Sequence, residues 1–389
     1  VKFVVAQIGA RRSYAVPSIL EKAGILERFY TDLTGDNPVT KLIAPSRRLP
    51  SNIRSFTWTF PWLTLRHALR RKLSPLGPSD TFRESVRFSN TLGRAMARSG
   101  FGDATHLYSM LGECPPLLVA AKERGLTIVS EIYILLSTER ILAEERKRFP
   151  GWEPDVPDCA AIRREMGLED VLLTRTDFAI CPSAAVRDDL VNNFGFDQTR
   201  TAIVPYGMDP GLLSVRNTPV RGRILFAGTA ELRKGIHYLA LAAEKLHARG
   251  LRYEFRIAGN VQSSVANQPA CRHLTFLGRV PRDQMPAEFA VADIFVLPSL
   301  AEGSAEVTYE ALACGLPVVT TAEAGSVVRD GIDGRIVPSR DATILANAIE
   351  EIIENREKRN QMAAPARERS REFVWDRYSE RLIGVIRSL

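Results

Sequence analysis

Apolar runs of roughly four to eight residues alternate with amphipathic segments along almost the whole chain, and no other feature constrains the fold as much. An apolar run too short for a helix reads as a strand buried on both faces. Such strands separated by helical segments read as an α/β protein, with parallel sheets covered by helices on both sides. In the first half the pattern predicts strands over 2–8, 104–109, 126–132, 177–181 and 201–205, and helices over 15–26, 113–124, 137–148, 158–174 and 183–193. In the second half it predicts strands over 223–227, 253–258, 274–277, 293–297, 317–321 and 334–337. The helices there are 234–249, 283–290, 305–314, 341–354 and 357–371. A chain of 389 residues exceeds one ordinary core, so two domains are expected. Val204-Pro205-Tyr206-Gly207-Met208-Asp209-Pro210-Gly211 is the best junction, because its proline and glycine content resists helix and strand alike.

The stretch from Leu297 to Val319 carries the most chemistry. A strand ends at Leu297, a short loop brings Glu302 and Gly303, and a helix over 305–314 carries Glu310. A carboxylate at the carboxyl edge of a strand, followed by glycine and a helix start, is a ligand-binding arrangement in open α/β sheets. Free N–H groups at the helix start suit a phosphate or a polar sugar, and carboxylates accept from hydroxyls. By spacing alone the two glutamates also fit a solvated surface helix. The surrounding residues say more. Glu302 and Glu310, separated by seven residues, stand inside Ser-x-x-Glu-Gly and Glu-Ala-x-Ala-x-Gly-x-Pro-Val-Val. The string resembles the signature of retaining nucleotide-sugar glycosyltransferases of family 4, the glycosyl transferases group 1.

A second constellation runs from Arg223 to Gly235: a strand, then Gly228-Thr229-Ala230-Glu231-Leu232-Arg233-Lys234, then a helix starting near Lys234. Two cations at the positive end of a helix are unfavourable unless an anion shares the site. A diphosphate would supply that anion, with Lys as a point charge and Arg as a fork. The segment resembles the family's diphosphate-binding turn, and departs from it at Thr229, where many members carry arginine. Leu274-Thr275-Phe276-Leu277-Gly278-Arg279-Val280 is similar to the family's Phe-x-Gly strand and loop, where the backbone at Arg279 and Val280 would lie against the nucleotide base.

The resemblance implies a GT-B architecture of two Rossmann-like domains facing across a cleft. Residues 1–205 would form the acceptor side and 206–374 the nucleotide-sugar side, with a helix over 375–389 crossing back. It implies catalytic roles for Glu302, Lys234 and Arg233. Donor contacts would come from Gly228, Thr229, Arg279, Val280, Gly303, Ser304, Ala305, Glu306, Val307 and Glu310, with Glu310 on the ribose. On the acceptor side it points to Arg11, Arg12, His106 and Tyr108, where His106 and Tyr108 fall on a frequent His-x-His. The implied reaction moves a hexose from a UDP- or GDP-sugar to a glycan or lipid-linked acceptor, with no metal and no cofactor, as in polysaccharide biosynthesis. A nucleotide-sugar epimerase or hydrolase and a non-catalytic sugar-binding protein are the rival classes.

Charge is unevenly placed. Residues 1–100 hold 17 Lys+Arg against 6 Asp+Glu, a net +11 in a chain whose total is +7. A basic first quarter suggests an anionic partner. No zinc spacing or aromatic–basic motif supports nucleic acid. Within 54–77, Trp58-Thr59-Phe60-Pro61-Trp62-Leu63 leads into Arg66-His67-Ala68-Leu69-Arg70-Arg71-Lys72, which suits the headgroup zone of an anionic bilayer. The five cysteines (114, 159, 181, 271 and 314) form no Cys-x-x-Cys pair, which argues for a reducing compartment. No signal-peptide pattern opens the sequence, and no apolar run reaches the ~18 residues of a membrane span. A cytoplasmic protein is expected, peripheral at most to the inner membrane face.

Overall fold

The computed structural model describes residues 1–389 except 37, 74–75, 155 and 168–169. The first sheet is built from β1 (Phe3–Ala6), β2 (Leu26–Thr31), β3 (Thr57–Thr59), β4 (His106–Met110), β5 (Thr127–Glu131), β6 (Phe178–Cys181) and β7 (Thr201–Ile203), in the order β3-β2-β1-β4-β5-β6-β7. The second holds β8 (Arg223–Ala227), β9 (Glu254–Ala258), β10 (Leu274–Gly278), β11 (Ile294–Leu297), β12 (Val318–Thr320) and β13 (Gly334–Ile336), in the order β10-β9-β8-β11-β12-β13. Every pairing within them is parallel. Strand order therefore reverses between β1 and β4, and again between β8 and β11. Crevices at the carboxyl ends of such strands are where open α/β sheets bind ligands.

All eleven predicted strands form, with ends within two residues of expectation. Two more were hidden. The predicted helix over 15–26 stops at Lys22, because Gly24 turns left-handed (φ 71°) and releases the chain into β2. Glu27 and Arg28 interrupt the apolar signal there. β3 is a three-residue edge strand, too short for any period to show. Helix Pro78–Ser99 was also missed; its proline sits in the first turn, where no intrahelical N–H is needed. The helix predicted over 158–174 is two, Cys159–Glu165 and Val171–Arg175, each capped by an aspartate side chain. Residues 168–169 of that prediction, and 74–75 of the stretch 54–77, lie outside the described residues.

The chain crosses between the sheets twice, and the two crossings run side by side. Met208 N–H donates to Phe373 O at 2.8 Å. A Cβ on Gly207 would come within 2.8 Å of the Trp375 backbone, so only glycine lets the crossings touch. The last helix, Trp375–Arg387, then packs Tyr378, Leu382 and Ile386 into the core of the first sheet, beside Phe3, Tyr14 and Tyr206.

A traffic in the other direction ties the second sheet to the first half. Leu142 and Trp152 are buried in the core of the second sheet. Between them Glu145, on helix Thr138–Arg148, is fully buried against helix Ile236–Ala248. Tyr238 Oη donates to it at 2.5 Å, Arg340 Nε at 2.8 Å, and His237 Nε2 lies 3.4 Å away. Burial alone would push this carboxyl up; the hydrogen bonds from His237, Tyr238 and Arg340 outweigh it and hold it at about 2. A carboxyl depressed on folding stabilises the fold above its ordinary value and loses that contribution as pH falls through its folded value. Glu145→Gln is therefore expected to cost about 3 kcal/mol near neutral pH and much less towards pH 2. Urea midpoints of both proteins across that range check it; an equal loss at every pH would remove the charge from the explanation.

Candidate functional site

The second sheet places its two motifs side by side at its strand reversal. After β8 the chain passes Gly228, forms a 3-10 turn over Leu232–Lys234, and enters helix Ile236–Ala248 through Gly235 in left-handed conformation. The helix thus begins two residues later than predicted. A Cβ on Gly235 would lie 1.9 Å from Pro298 O, so the turn after β8 and the loop after β11 meet backbone to backbone. Gly228, at φ 133°, leaves room for the Lys234 side chain to fold back over the strand end.

The anion expected beside Arg233 and Lys234 is a side chain. Lys234 Nζ bonds Glu302 Oε1, and Arg233 Nη1 lies 2.6 Å from Glu302 Oε2. Arg233 is otherwise committed, with Nη2 2.6 Å from Glu231 and Nη1 donating to Ala301 O. Burial lowers the Arg233 pKa, but the carboxylates of Glu302 and Glu231 more than reverse this.

A cavity of about 410 Å³ opens at this edge. Of the predicted residues, Gly228, Thr229, Lys234, Arg279, Val280, Glu302, Ser304, Ala305, Glu306, Val307 and Glu310 line it; Arg233 and Gly303 do not. Gly259, Asn260 and Met285, which carried no motif, complete the wall. Helix Glu306–Ala313 points its amino end into the cavity. The amide of Ala305 is taken by Ala324 O, whereas Gly303, Ser304, Glu306 and Val307 make no backbone hydrogen bond through theirs among the described residues. Burial raises the Glu310 carboxyl to about 7, against the pull of Arg282, 3.7 Å away.

The family model described as glycosyl transferases group 1 matches residues 219–369. The chain is 24% identical over 353 residues to the D-inositol 3-phosphate glycosyltransferase of Stackebrandtia nassauensis, covering 83% of this chain and 77% of that protein. It is 30% identical over 264 residues to the enzyme of the same name from Xylanimonas cellulosilytica, covering 59% and 61%. In fold it is similar to Anabaena HepE solved with UDP and glucose (TM-score 0.64, 16% identity, all of both chains). It is also similar to sucrose-phosphate synthase from Thermosynechococcus elongatus (TM-score 0.68, 16% identity, 100% and 98% of the two chains). The chain is a glycosyltransferase with the GT-B fold.

The first sheet of this glycosyltransferase sends Arg12 into the site. Its guanidinium, packed 3.2 Å over the Tyr206 ring, bonds Glu131 at the end of β5 (2.6 Å) and Glu306 on the cavity wall (2.9 Å). Glu131 also accepts from Tyr108 and Tyr206. Arg11 instead pairs with Glu113 (2.7 Å) and Tyr133. Burial raises the Glu113 carboxyl, and Arg11 offsets part of that. Ser183 Oγ donates to Gly303 O at 2.6 Å, and a Cβ on Gly303 would lie 1.8 Å from Tyr133 O. Gly303 is thus a point of close backbone approach between the two halves.

Two acceptor-side expectations change. His106 begins β4, at the amino end of the sheet, four residues from the edge that faces the cleft; its ring lies tilted against Phe3 and bonds Thr105. Tyr108 is fully buried in mid-strand and reaches the site only through Glu131. The predicted strand over 104–109 put His106 in its interior; β4 begins at His106, which leaves it at the amino end, away from the cleft. Glu131, Glu113, Tyr133 and Ser183 were missed. Glu131 carries the same signal that picked out Glu302, a carboxylate closing an apolar strand.

Arg12→Leu leaves Glu131, 1% exposed, without its cation and is expected to cost about 3–5 kcal/mol. Glu306→Gln removes the partner that is 34% exposed and should cost under about 1 kcal/mol. Chemical denaturation of both variants separates them; similar losses would mean that Arg12 does not anchor on Glu131.

Proposed function

We propose that the protein is a retaining hexosyltransferase that moves a sugar from a nucleoside diphosphate hexose, UDP-linked first among candidates, to a hydroxyl of a glycan or lipid-linked acceptor in polysaccharide assembly. The observation that carries this reading is the cavity where Lys234, the amino end of helix Glu306–Ala313, Glu302 and Glu310 converge. UDP in the neighbour HepE supports the base. The named activity of the inositol phosphate glycosyltransferases supports a polar acceptor.

In this reading the ribose hydroxyls donate to Glu310 and the base rests on the backbone of Arg279 and Val280. The diphosphate takes the second and third donors of Lys234 and the amides of Glu306 and Val307. The sugar hydroxyls meet Glu302 and the amides of Gly303 and Ser304. The bond between the anomeric carbon and the phosphate oxygen breaks, and its electron pair leaves with the diphosphate. Fixed cations and amides that meet this growing charge supply most of the acceleration and require neither divalent metal nor cofactor. Both oxygens of Glu302 are held by cations, which makes it an anchor for the sugar and a poor nucleophile. With retention, the acceptor oxygen arrives on the face the phosphate leaves. The departing phosphate oxygen is then the base nearest the acceptor proton.

Thermal shift with UDP, GDP, ADP and CMP and their hexose conjugates tests the donor, since a ligand of the folded state raises the melting temperature. UDP and its hexoses are expected to raise it; no response to any nucleotide would end this reading. Lys234→Ala should lower turnover by about 10²–10³-fold, a loss of the kind seen for a single oxyanion donor.

Glu310 gives the pH dependence its sign. Its carboxyl, raised to about 7, is neutral below that value and a full acceptor above it. Nucleotide affinity is expected to weaken as pH falls through about 7, and Glu310→Gln should flatten the profile. Isothermal titration at several pH values decides it; an unchanged slope in the variant would move the ribose contact elsewhere.

A further inference from the structure

A second cavity, about 420 Å³, lies between helices Pro61–Leu73 and Pro78–Ser99 and shares no residue with the first. Arg66, Arg70, Arg87 and Arg94 line it, against one acid, Glu84. Glu84 sits 3.7 Å from Arg70 and 3.8 Å from Arg87, too far for strong charge-assisted bonds. Arg66 and Arg94 have no acidic partner among the described residues. In its floor the His67 ring stacks on Phe88 at 4.3 Å.

Beside this cavity stands an apolar ridge. Helix Pro61–Leu73 buries none of its residues fully, yet Trp62, Leu69 and Leu73 are 82%, 57% and 72% exposed. Their spacing of seven and four puts them within roughly 40° of one line along the helix. Arg66 lies between them, with Arg70 and Lys72 to either side. Cations in the last turn suit the helix dipole, which accounts for Arg71 and Lys72. It accounts neither for an exposed tryptophan nor for cations gathered from two helices round one hollow.

We propose that this face docks the protein on an anionic lipid bilayer, with Trp62, Leu69 and Leu73 entering the headgroup boundary and the four-arginine cavity receiving a lipid phosphate. Charge complementarity names the occupant: cations ringing an apolar ridge match a phosphate layer over acyl chains. Topology gives the orientation. Pro61 follows β3 by one residue, and Phe60 N–H and Thr64 Oγ1 donate to Asp32 O beyond β2. The helix therefore starts at the carboxyl edge of the first sheet, the edge that also carries Arg11 and Glu113. Docking holds the mouth of the cleft beside the bilayer. The inference stands without the sugar-transfer reading.

The test is sedimentation of the 389-residue protein with vesicles of phosphatidylglycerol in phosphatidylcholine, or of phosphatidylcholine alone. Partition is expected to favour the anionic vesicles by at least about tenfold and to fall with added salt. The pairs Trp62→Ser with Leu73→Ser, and Arg66→Gln with Arg94→Gln, should each weaken it about fivefold or more. All four side chains are on the surface, so melting temperature and its response to UDP should be kept. Unchanged partition in either pair overturns the proposal, as does equal binding to neutral vesicles. Protection by inorganic phosphate with no vesicle partition overturns it too, assigning the arginines to a soluble phosphate. Vesicle binding without any nucleotide response leaves docking intact and removes only the donor reading.

Discussion

One guanidinium is shared by both sheets, and the cleft is organised around it. Arg12 leaves β1 through three successive left-handed residues, Arg12, Ser13 and Tyr14 (φ 44°, 51° and 63°). Such backbone costs roughly 1–3 kcal/mol per non-glycine residue and persists only where its surroundings enforce it. Here they do. Tyr14 is fully buried in the core of the first sheet, while Arg12 turns out across the sheet edge to Glu131 and Glu306. Helix Glu306–Ala313 is placed by the same logic. Ala311 and Leu312 lie in the second core, whereas Tyr309 and Ala313 lie in the first. The helix whose amides face the cavity is thus positioned by both halves.

Within the cavity the two glutamates of one motif have opposite environments. Glu302 is held between Arg233 and Lys234, with one cation on each oxygen. Glu310, one helix away, has only a distant arginine and a burial that raises it to about 7. Environment, not residue type, sets what a carboxylate can do. Arg233 and Lys234 divide in the same way. The arginine fork is filled by Glu231, Glu302 and a carbonyl, and serves to aim Glu302. Lysine, with three donors and one taken, keeps capacity for a phosphate. With Thr229 in the turn, Lys234 and Arg279 are the cations of the wall.

The second sheet was legible because its central strands β8, β11 and β12 are buried on both faces and read as unbroken apolar runs, and because the ligand loops after β8 and β11 follow them directly. The first sheet was less so, for reasons that particular residues show. β2 carries Glu27 and Arg28 near its start, where Glu27 meets Lys2 and Asp103 and Arg28 bonds Ser99 O, which erased its apolar pattern. Helix Pro78–Ser99 hid behind a proline that suits its first turn. Glu302 and Lys234 could be found because local spacing places them. Arg12 could be named as a cation close to the cleft, but its bonds to Glu131 and Glu306, and that of Ser183 to Gly303, could not be read, because each spans a sheet or the cleft over separations of 119 to 294 residues. No local period records such a contact.

The links between the halves differ in what it takes to break them, and this fixes how the cleft can open. If the sheets part at Arg12, the guanidinium stays with buried Glu131 and gives up only Glu306, 34% exposed, a loss under about 1 kcal/mol. The bond from Ser183 to Gly303 O adds about 1 kcal/mol more. Parting at Glu145 would strand a fully buried carboxylate and strip Trp152 from the second core, at about 3–5 kcal/mol for the ion cluster alone. Opening must therefore swing about the Glu145–His237 contact and the paired crossings at Met208 and Phe373, and spread the cleft at Gly303. Glu153 stands beside that pivot, where its carboxylate accepts from Leu232 N–H at 2.7 Å. The turn that carries Lys234 thus stays tied to the first half while Gly303, the residue after Glu302, loses its contact with Tyr133 and Ser183.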